Sequence, residues 1–174
     1  MDREVLMTSG LIFELRIKRL LEDLDNNSRI ITDLEIYYDK LARNKTQIDV
    51  VAIYEDSIFV IEAKNWSKYI KGNFSQYNWR GLSGNPKGMD IISPVMQNYL
   101  HIRLLKSKAL QEGIQLPPIF NIVCVPDSCR IISDCNEVMN YSELIREIKY
   151  KRLGLNHSLY DLDLLYKFID SCRL

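Results

Sequence analysis

Two carboxylates and an amine, Asp49, Glu62 and Lys64 (the charged trio), are the side chains best suited to chemistry, because they interrupt two apolar runs. Two carboxylates brought together away from bulk water are costly unless a cation compensates them. A hard divalent ion such as Mg²⁺ supplies that charge and is bound by oxygen ligands. Beside such an ion, Lys64 can orient or help to deprotonate a water, or neutralise charge on a phosphoryl group. The alternative is a structural ion pair between Lys64 and one carboxylate, and the pattern alone favours neither.

The two apolar runs that contain the charged trio predict a β-hairpin. Ile48 to Tyr54 and Ile58 to Ala63 are rich in β-branched residues and are separated by three polar residues. A turn at Glu55-Asp56 places Asp49 opposite Glu62, whereas a turn one residue later places it opposite the lysine. In either register the trio can share one face of the sheet, because alternate strand residues point to the same side.

Apolar spacing and turn residues divide the rest of the chain into further helices and strands. The predicted elements are a helix from Thr8 to Leu24, a strand from Ile30 to Tyr38, short strands at Tyr69-Ile70 and Tyr77 to Trp79, a loop from Gly81 to Gly88, a helix from Ser93-Pro94 to Glu112, a strand from Ile119 to Val125, and helices from Tyr141 to Lys151 and Leu159 to Cys172. Both hairpin runs are apolar at odd and even positions, which indicates a sheet covered on both faces. We therefore predict one α/β domain with a mixed sheet flanked by helices.

Composition sets limits on the function. Hydrophobic residues make up 47% of the 174 residues, no apolar run approaches the roughly 20 residues that span a bilayer, and the N-terminus does not look like a secretory signal. We therefore expect a cytoplasmic protein with no membrane attachment. The 23 basic and 23 acidic residues give zero net charge, which argues against tight, non-specific coating of DNA. The four cysteines match no zinc spacing and are expected to be reduced thiols.

The charged trio, read as Asp49…Glu62-Ala63-Lys64, resembles the PD-(D/E)xK nuclease superfamily, and longer segments resemble its nuclease-related domain (NERD) family. The matching segments are Gln47-Ile48-Asp49, Phe59 to Trp66, Ile70-x-Gly72, Trp79 and Pro94-x-x-Gln97-Asn98. Glu14 falls where that family places an acid on its first helix. The sequence departs from the family pattern at Phe13 and Lys68, where glycines are expected, and at Ser93, where asparagine is expected.

The resemblance implies a restriction-endonuclease-like fold with an αβββαβ core over about 8–126 and a C-terminal helical extension over about 127–174. It also implies hydrolysis of DNA phosphodiester bonds with Mg²⁺ or Mn²⁺, in DNA processing or defence. Carried over by position, Asp49 and Glu62 are metal ligands together with the Ala63 carbonyl. Lys64 assists the attacking water, and Glu14 supports the metal site. Gln97, the last residue carried over, positions the substrate or Lys64.

The expected partner is DNA of unknown form. Basic residues that can contact its backbone, and aromatic residues that can stack on unpaired bases, follow the hairpin: Lys68, Lys71, Arg80 and Lys87, with Tyr69, Tyr77 and Trp79. Packing within the fold is the alternative for the aromatic side chains. The alternative function is a non-catalytic module that keeps the fold and binds nucleic acid or protein. The C-terminal helices either cap the fold or form a homodimer.

Overall fold

The structure is a computed structural model that describes residues 3–39, 44–82, 88–155 and 160–174. Its helices are α1 (Arg3–Glu22), α2 (Pro94–Glu112), α3 (Leu144–Leu153) and α4 (Leu162–Ser171). Its strands are β1 (Arg29–Asp39), β2 (Asn44–Ile53), β3 (Ile58–Ala63), β4 (Tyr69–Lys71), β5 (Asn78–Leu82), β6 (Met89–Ile92), β7 (Ile119–Val125), β8 (Arg130–Ile132) and β9 (Val138–Asn140).

A mixed central sheet carries the site. Its strand order is β1-β2-β3-β7-β9, with antiparallel pairing among β1, β2 and β3 and parallel pairing among β3, β7 and β9. Helix α2 makes the crossover that parallel strands require. Strands β4, β5 and β6 precede α2 and form a smaller sheet with β8. The predicted mixed sheet with flanking helices is confirmed, and the order α1-β1-β2-β3-α2-β7 is that of the expected core.

Helices cover both faces of the central sheet. On one face, α1 and α3 contribute Phe13, Ile17, Leu21, Leu144 and Ile148, which pack against Val50, Ala52, Phe59 and Ile61. On the other face, α2 and α4 contribute Ile102, Leu105, Ala109, Leu165, Phe168 and Ile169, which pack against Val51, Ile53, Ile58 and Val60. Each large apolar side chain buried in this way stabilises the fold by roughly 1.5–3 kcal/mol. The alternation fixes the register, because a one-residue slip would exchange the two faces.

The hairpin register is the first of the two predicted alternatives. Strands β2 and β3 pair Val50 with Ile61, and the turn lies at Glu55-Asp56. The next residues along the two strands are Asp49 and Glu62. They therefore face each other where the ladder ends.

Helix α2 begins and ends at the predicted signals. The Ser93 Oγ accepts a hydrogen bond from the Met96 backbone N–H at 3.3 Å, and Pro94 occupies the first turn, where its missing N–H costs nothing. Gly113 ends the helix in the left-handed region at φ 68°. These two ends set the length of the helix that lies beneath the charged trio.

Three parts of the chain differ from the sequence predictions. Strand β2 begins at Asn44, before the predicted start at Ile48. Strand β5 extends to Leu82, inside the predicted 81–88 loop, and β6 follows that loop without having been predicted; 83–87 falls outside the described residues. The segment after residue 126 contains the two predicted helices and also gives strands β8 and β9, one to each sheet. Its helices cap the two faces of the central sheet, whereas dimerisation and the boundary at 126 stay predictions. In the described part of the chain, no helix has both the length and the apolar character needed to cross a bilayer.

Gly72 gives a test of how the smaller sheet is packed. A Cβ at Gly72 would lie 2.2 Å from the Cγ of Trp79, a side chain that is 1% exposed. We expect Gly72→Ala to lower the free energy of unfolding by about 1–3 kcal/mol in urea titrations, because the buried ring must move. Gly10→Ala is the control, since a Cβ there meets nothing within 4 Å and helix propensity favours alanine. Equal stability of Gly72→Ala and wild type would mean that the ring moves at little cost.

Candidate active site

The charged trio meets at the open end of the β2–β3 ladder. Glu62 is 1% exposed, and its Oε1 accepts a hydrogen bond from the Lys64 Nζ. Asp49 Oδ2 accepts a hydrogen bond of 2.8 Å from the Ala63 backbone N–H. Asp49 therefore contacts Ala63 and Glu62 contacts Lys64, so both carboxylates are held by adjacent residues at the end of β3.

Burial and mutual repulsion shift the titration of these groups. Burial raises the pKa of Glu62 to about 7, and Asp49 and Glu14 add to the effect against the opposing Lys64. Burial likewise raises the pKa of Asp49, although its hydrogen bond from Ala63 and the Lys64 charge oppose this. Burial alone would lower the pKa of Lys64, but the surrounding carboxylates outweigh it and the pKa is raised. The lysine therefore stays protonated, while its positive charge does not fully compensate the acids.

Glu14 on α1 belongs to the same cluster. It is partly buried, and its pKa is raised to about 7 by burial, followed by the charges of Asp49 and Asp33. The Asn65 Nδ2 donates a hydrogen bond of 2.9 Å to the Ser9 carbonyl and so ties α1 to the chain just after Lys64. The acid predicted on the first helix therefore does lie beside the charged trio.

Gln97 lies in the first turn of α2 and is partly exposed. Its backbone N–H donates to the Ser93 carbonyl at 2.9 Å. Within the described ranges, no hydrogen bond joins its side chain to Lys64 or to either carboxylate. Its predicted role in positioning Lys64 or the substrate stays a prediction.

Asp33 is an acid of this cluster that sequence reasoning missed. It lies across from Asp49, between the pairs Thr32–Val50 and Leu34–Ile48 of the β1–β2 ladder. Its φ of 52° is in the left-handed region, which costs a non-glycine residue roughly 1–2 kcal/mol, and less for aspartate. The Gln47 Nε2 donates to its Oδ1 at 2.8 Å.

The left-handed backbone at Asp33 reverses the direction of side chains along β1. Ile31 and Leu34 are three residues apart, yet both lie in the core cluster on the α2 face. A regular strand alternates with a period of two, so this spacing was the signal in the sequence for an irregular residue between them.

Arg173, close after α4, holds this irregular backbone in place. Its Nη1 donates to the Asp33 carbonyl at 2.8 Å and its Nη2 to the Thr32 carbonyl at 3.4 Å. Asp33, Gln47 and Arg173 also line a cavity of about 340 Å³. The C-terminal segment therefore reaches the edge of the candidate site.

A buried polar pair on α2, Asn98 and His101, lies beneath Glu62. Both residues are fully buried, and the His101 Nδ1 is 3.8 Å from the Glu62 Oε2. Burial, and then the Lys64 charge, lower the pKa of His101 to about 4, so the imidazole is neutral at pH 7. The signal for this pair was available, because both residues fall on the same helical stripe as Ile102, Leu105 and Ala109.

The residues predicted to contact DNA differ in exposure. Lys68, Lys71 and Arg80 are exposed, and the last two are cross-strand neighbours on β4 and β5. Tyr77 is 64% exposed, whereas Trp79 is buried in the core of the smaller sheet. The interpretation of Trp79 as a base-stacking residue is therefore wrong, because its ring packs against Gly72. Lys87 lies outside the described residues.

The pH dependence of the free energy of unfolding, measured without metal, tests the raised pKa of Glu62. Because its pKa is raised from 4.5 to about 7, the folded state keeps a proton that the unfolded chain releases in this window, so the free energy of unfolding falls as the pH rises through it. We expect Glu62→Gln to be more stable than wild type above about pH 7 in EDTA, with the difference vanishing towards pH 4.5, in urea titrations. Glu22→Gln, from an exposed pair with Lys18, should change stability little at any pH. A Glu62→Gln protein less stable than wild type above pH 7 would instead favour the structural ion pair.

A second prediction concerns the contact of Arg173 with β1. Arg173→Ala should speed hydrogen exchange in residues 32–36 by about tenfold, because each lost hydrogen bond is worth roughly 1 kcal/mol. Mass spectrometry of peptides from β1 would measure this. Arg29→Ala is the control, because it removes a surface ion pair with Asp163 at the other end of the strand. Unchanged hydrogen exchange in Arg173→Ala would show that Asp33 keeps its conformation without the hydrogen bonds from Arg173.

The chain resembles known proteins over much of its length. The family model for the nuclease-related domain matches residues 9–126, which contain most of α1, strands β1 to β7 and α2. The chain is also 29% identical, over 136 residues, to an uncharacterized protein of Bacillus anthracis. That alignment covers 75% of this chain and 61% of the relative. No solved structure gives a significant match. The chain belongs to the nuclease-related domain family.

Proposed function

We propose that this protein is a metal-dependent nuclease that hydrolyses DNA phosphodiester bonds with Mg²⁺ or Mn²⁺. The observation that carries the proposal is the charge imbalance at the end of the hairpin, where Asp49, Glu62 and Glu14 share one ammonium, that of Lys64. Burial, and then the neighbouring acids, raise the pKa of Glu62 and that of Glu14 to about 7, so among the described residues the cluster holds more acids than Lys64 alone compensates. Strongly shifted carboxylates in such a cluster are typical of functional sites.

The donor chemistry fits a hard divalent ion. In the part of the chain that the structure describes, no group of three or more histidine, cysteine, aspartate or glutamate side chains is arranged to hold a metal. The proposed ligands are instead two carboxylates, those of Asp49 and Glu62, and the main-chain carbonyl of Ala63. An all-oxygen set with few protein ligands suits Mg²⁺ or Mn²⁺, because these ions keep several waters and contact phosphate oxygens directly.

The proposed mechanism assigns each charged residue a task. A bound divalent ion would polarise the phosphoryl group and lower the pKa of a water bound to it. Lys64 remains protonated and donates a hydrogen bond to the attacking water or to a phosphoryl oxygen on which negative charge grows. Glu14 has its pKa near neutrality and supports the metal site, directly or through water. Gln97 positions the substrate or Lys64.

The exposed basic side chains supply contacts to the substrate backbone. Lys71 and Arg80 form a cross-strand pair on the smaller sheet, and Lys68 lies one residue before β4. Local basic groups of this kind bind phosphates even where net charge is zero. The exposed ring of Tyr77 and the partly exposed ring of Tyr69 remain candidates for stacking on unpaired bases.

A non-catalytic binding module is the second candidate. It is favoured by the contacts that already satisfy part of the site, since Lys64 pairs with Glu62 and Ala63 donates to Asp49. A site used only to hold the fold would need no more than these contacts.

Cleavage assays separate the two functions. Plasmid, linear double-stranded and single-stranded DNA are incubated with wild type in Mg²⁺ or Mn²⁺, with and without EDTA. We expect metal-dependent cutting that falls by roughly 10²–10³ in Lys64→Ala, the usual effect of removing a group that stabilises transition-state charge. Asp49→Asn should fold and be equally inactive. Lys106→Ala, on the exposed face of α2, is the matched lysine control and should cut normally. Folded protein that cuts no form of DNA and binds no Mn²⁺ would contradict the nuclease proposal and support the binding module.

A further inference from the structure

One oxygen of Glu62 lacks a partner in a fully buried position. Its Oε1 accepts a hydrogen bond from the Lys64 ammonium, whereas its Oε2 is buried with no hydrogen bond from any residue that the structure describes. A buried carboxylate oxygen that has lost water and gained no donor destabilises the folded protein. The nearby donor is the His101 Nδ1, at 3.8 Å. The distance is too long for a hydrogen bond but short enough to become one with a small shift of either side chain.

The orientation of Asn98 decides which nitrogen of His101 carries the hydrogen. The amide nitrogen of Asn98 faces three acceptors, which are the carbonyl oxygens of Val60 at 2.7 Å and Ile122 at 3.1 Å and the Oδ1 of Asn121 at 2.8 Å. Asn121 is oriented in turn, because its own Nδ2 donates to the Val95 carbonyl at 3.0 Å. The Asn98 amide is therefore fixed with its oxygen towards His101.

This orientation defines the histidine tautomer. The Asn98 Oδ1 is 3.3 Å from the His101 Nδ1, and an amide oxygen can only accept, so Nδ1 carries the hydrogen. The Nε2 is then the acceptor, and the Thr46 hydroxyl donates to it at 2.9 Å. The Nδ1–H therefore has two acceptors within reach, the Asn98 Oδ1 at 3.3 Å and the Glu62 Oε2 at 3.8 Å, and a small shift lets it be shared between them as a three-centre hydrogen bond.

We propose that His101 is a positioning residue that holds the Glu62 carboxylate for metal binding through its Nδ1–H, opposite the oxygen that Lys64 contacts. The inference rests on the proposed function, because it assigns a support to one of the proposed metal ligands. The two oxygens of Glu62 then have different partners: Oε1 contacts Lys64, and Oε2 faces the imidazole. Ligands of metal ions are commonly oriented by such outer hydrogen bonds.

The inference also explains why a polar pair lies on the buried face of α2. Asn98 and His101 occupy stripe positions where apolar side chains would pack without any need for partners. Asn98 fixes the tautomer, and Thr46 on β2 completes it from the far side of the ring. The network therefore connects α2, β2 and β7 to one carboxylate on β3.

Mn²⁺ affinity measured on folded protein tests the role. His101→Phe keeps the ring shape and removes both nitrogens, and we expect it to raise the Mn²⁺ Kd by about tenfold or more, as removal of an outer hydrogen bond does. In cleavage assays its kcat should fall while the KM for DNA changes little, because substrate contacts are intact. His101→Asn offers an amide N–H near the position of Nδ1 and should recover part of the affinity. It also keeps the test available if His101→Phe does not fold.

Thr46→Val separates positioning from structural support. It removes the partner of Nε2 but leaves Asn98 to fix the Nδ1–H, so it should lower the free energy of unfolding without changing the Mn²⁺ Kd. Loss of Mn²⁺ affinity in Thr46→Val equal to that in His101→Phe would overturn the proposal, as would a His101→Phe protein that binds Mn²⁺ like wild type.

Nitrogen-15 NMR of the imidazole tests the geometry without metal or DNA. The proposal requires the Nδ1–H tautomer in the wild-type protein, and an Nε2–H tautomer would overturn it even in an active nuclease. Conversely, Nδ1–H in a protein that binds no Mn²⁺ would leave the tautomer intact but refute both the metal-positioning role and the proposed function. The two failures are therefore distinguishable.

Discussion

The hydrogen bond from the Ala63 N–H to the Asp49 carboxylate continues the contact between β2 and β3 past the last paired residues, Val50 and Ile61. At this point a side chain takes the place of the backbone ladder, so the two strands can separate without leaving the Ala63 N–H unpaired. The space that opens receives the side chains of Glu62 and Lys64. The other groups of the candidate site, on α1, α2 and β1, are arranged around the point where β2 and β3 separate.

The separation of β2 and β3 brings together negative charge that the fold itself does not need. Raised pKa values at Glu62, Asp49 and Glu14 mean that the folded protein disfavours their ionised forms, which is a cost to stability near neutral pH. The rest of the sheet tolerates this cost, because both of its faces are covered by apolar side chains. Functional sites commonly lower the stability of a protein, and the surrounding core offsets that loss.

Local patterns predicted the hairpin and α2, because β-branched runs and a Ser-Pro cap act over a few residues, whereas Glu14 was predicted from the family resemblance. The choice between two hairpin registers depended on tertiary contacts: Asp56 is buried at the turn by hydrogen bonds from Ser57 and from the Arg152 side chain. Asp33 was missed because its position across from Asp49 follows only from the β1–β2 register. His101 was missed because its contacts are with Thr46, far along the chain, and with an amide whose orientation the sequence does not specify. For Trp79 the sequence left base stacking and packing within the fold as alternatives, and its burial confirms packing.

The family match ends at residue 126, but the physical unit that supports the site does not. Leu144 and Ile148 of α3 share a core with α1, which carries Glu14, and α4 covers the face that α2 also packs against. Arg173 then holds the two carbonyls that keep Asp33 in its left-handed conformation beside Asp49. Because Asp33 contributes to the raised pKa of Glu14, the C-terminal segment acts on the electrostatics of the site as well as on the stability of the fold. Sequence changes after residue 126 can therefore tune the candidate active site without altering any residue of the charged trio.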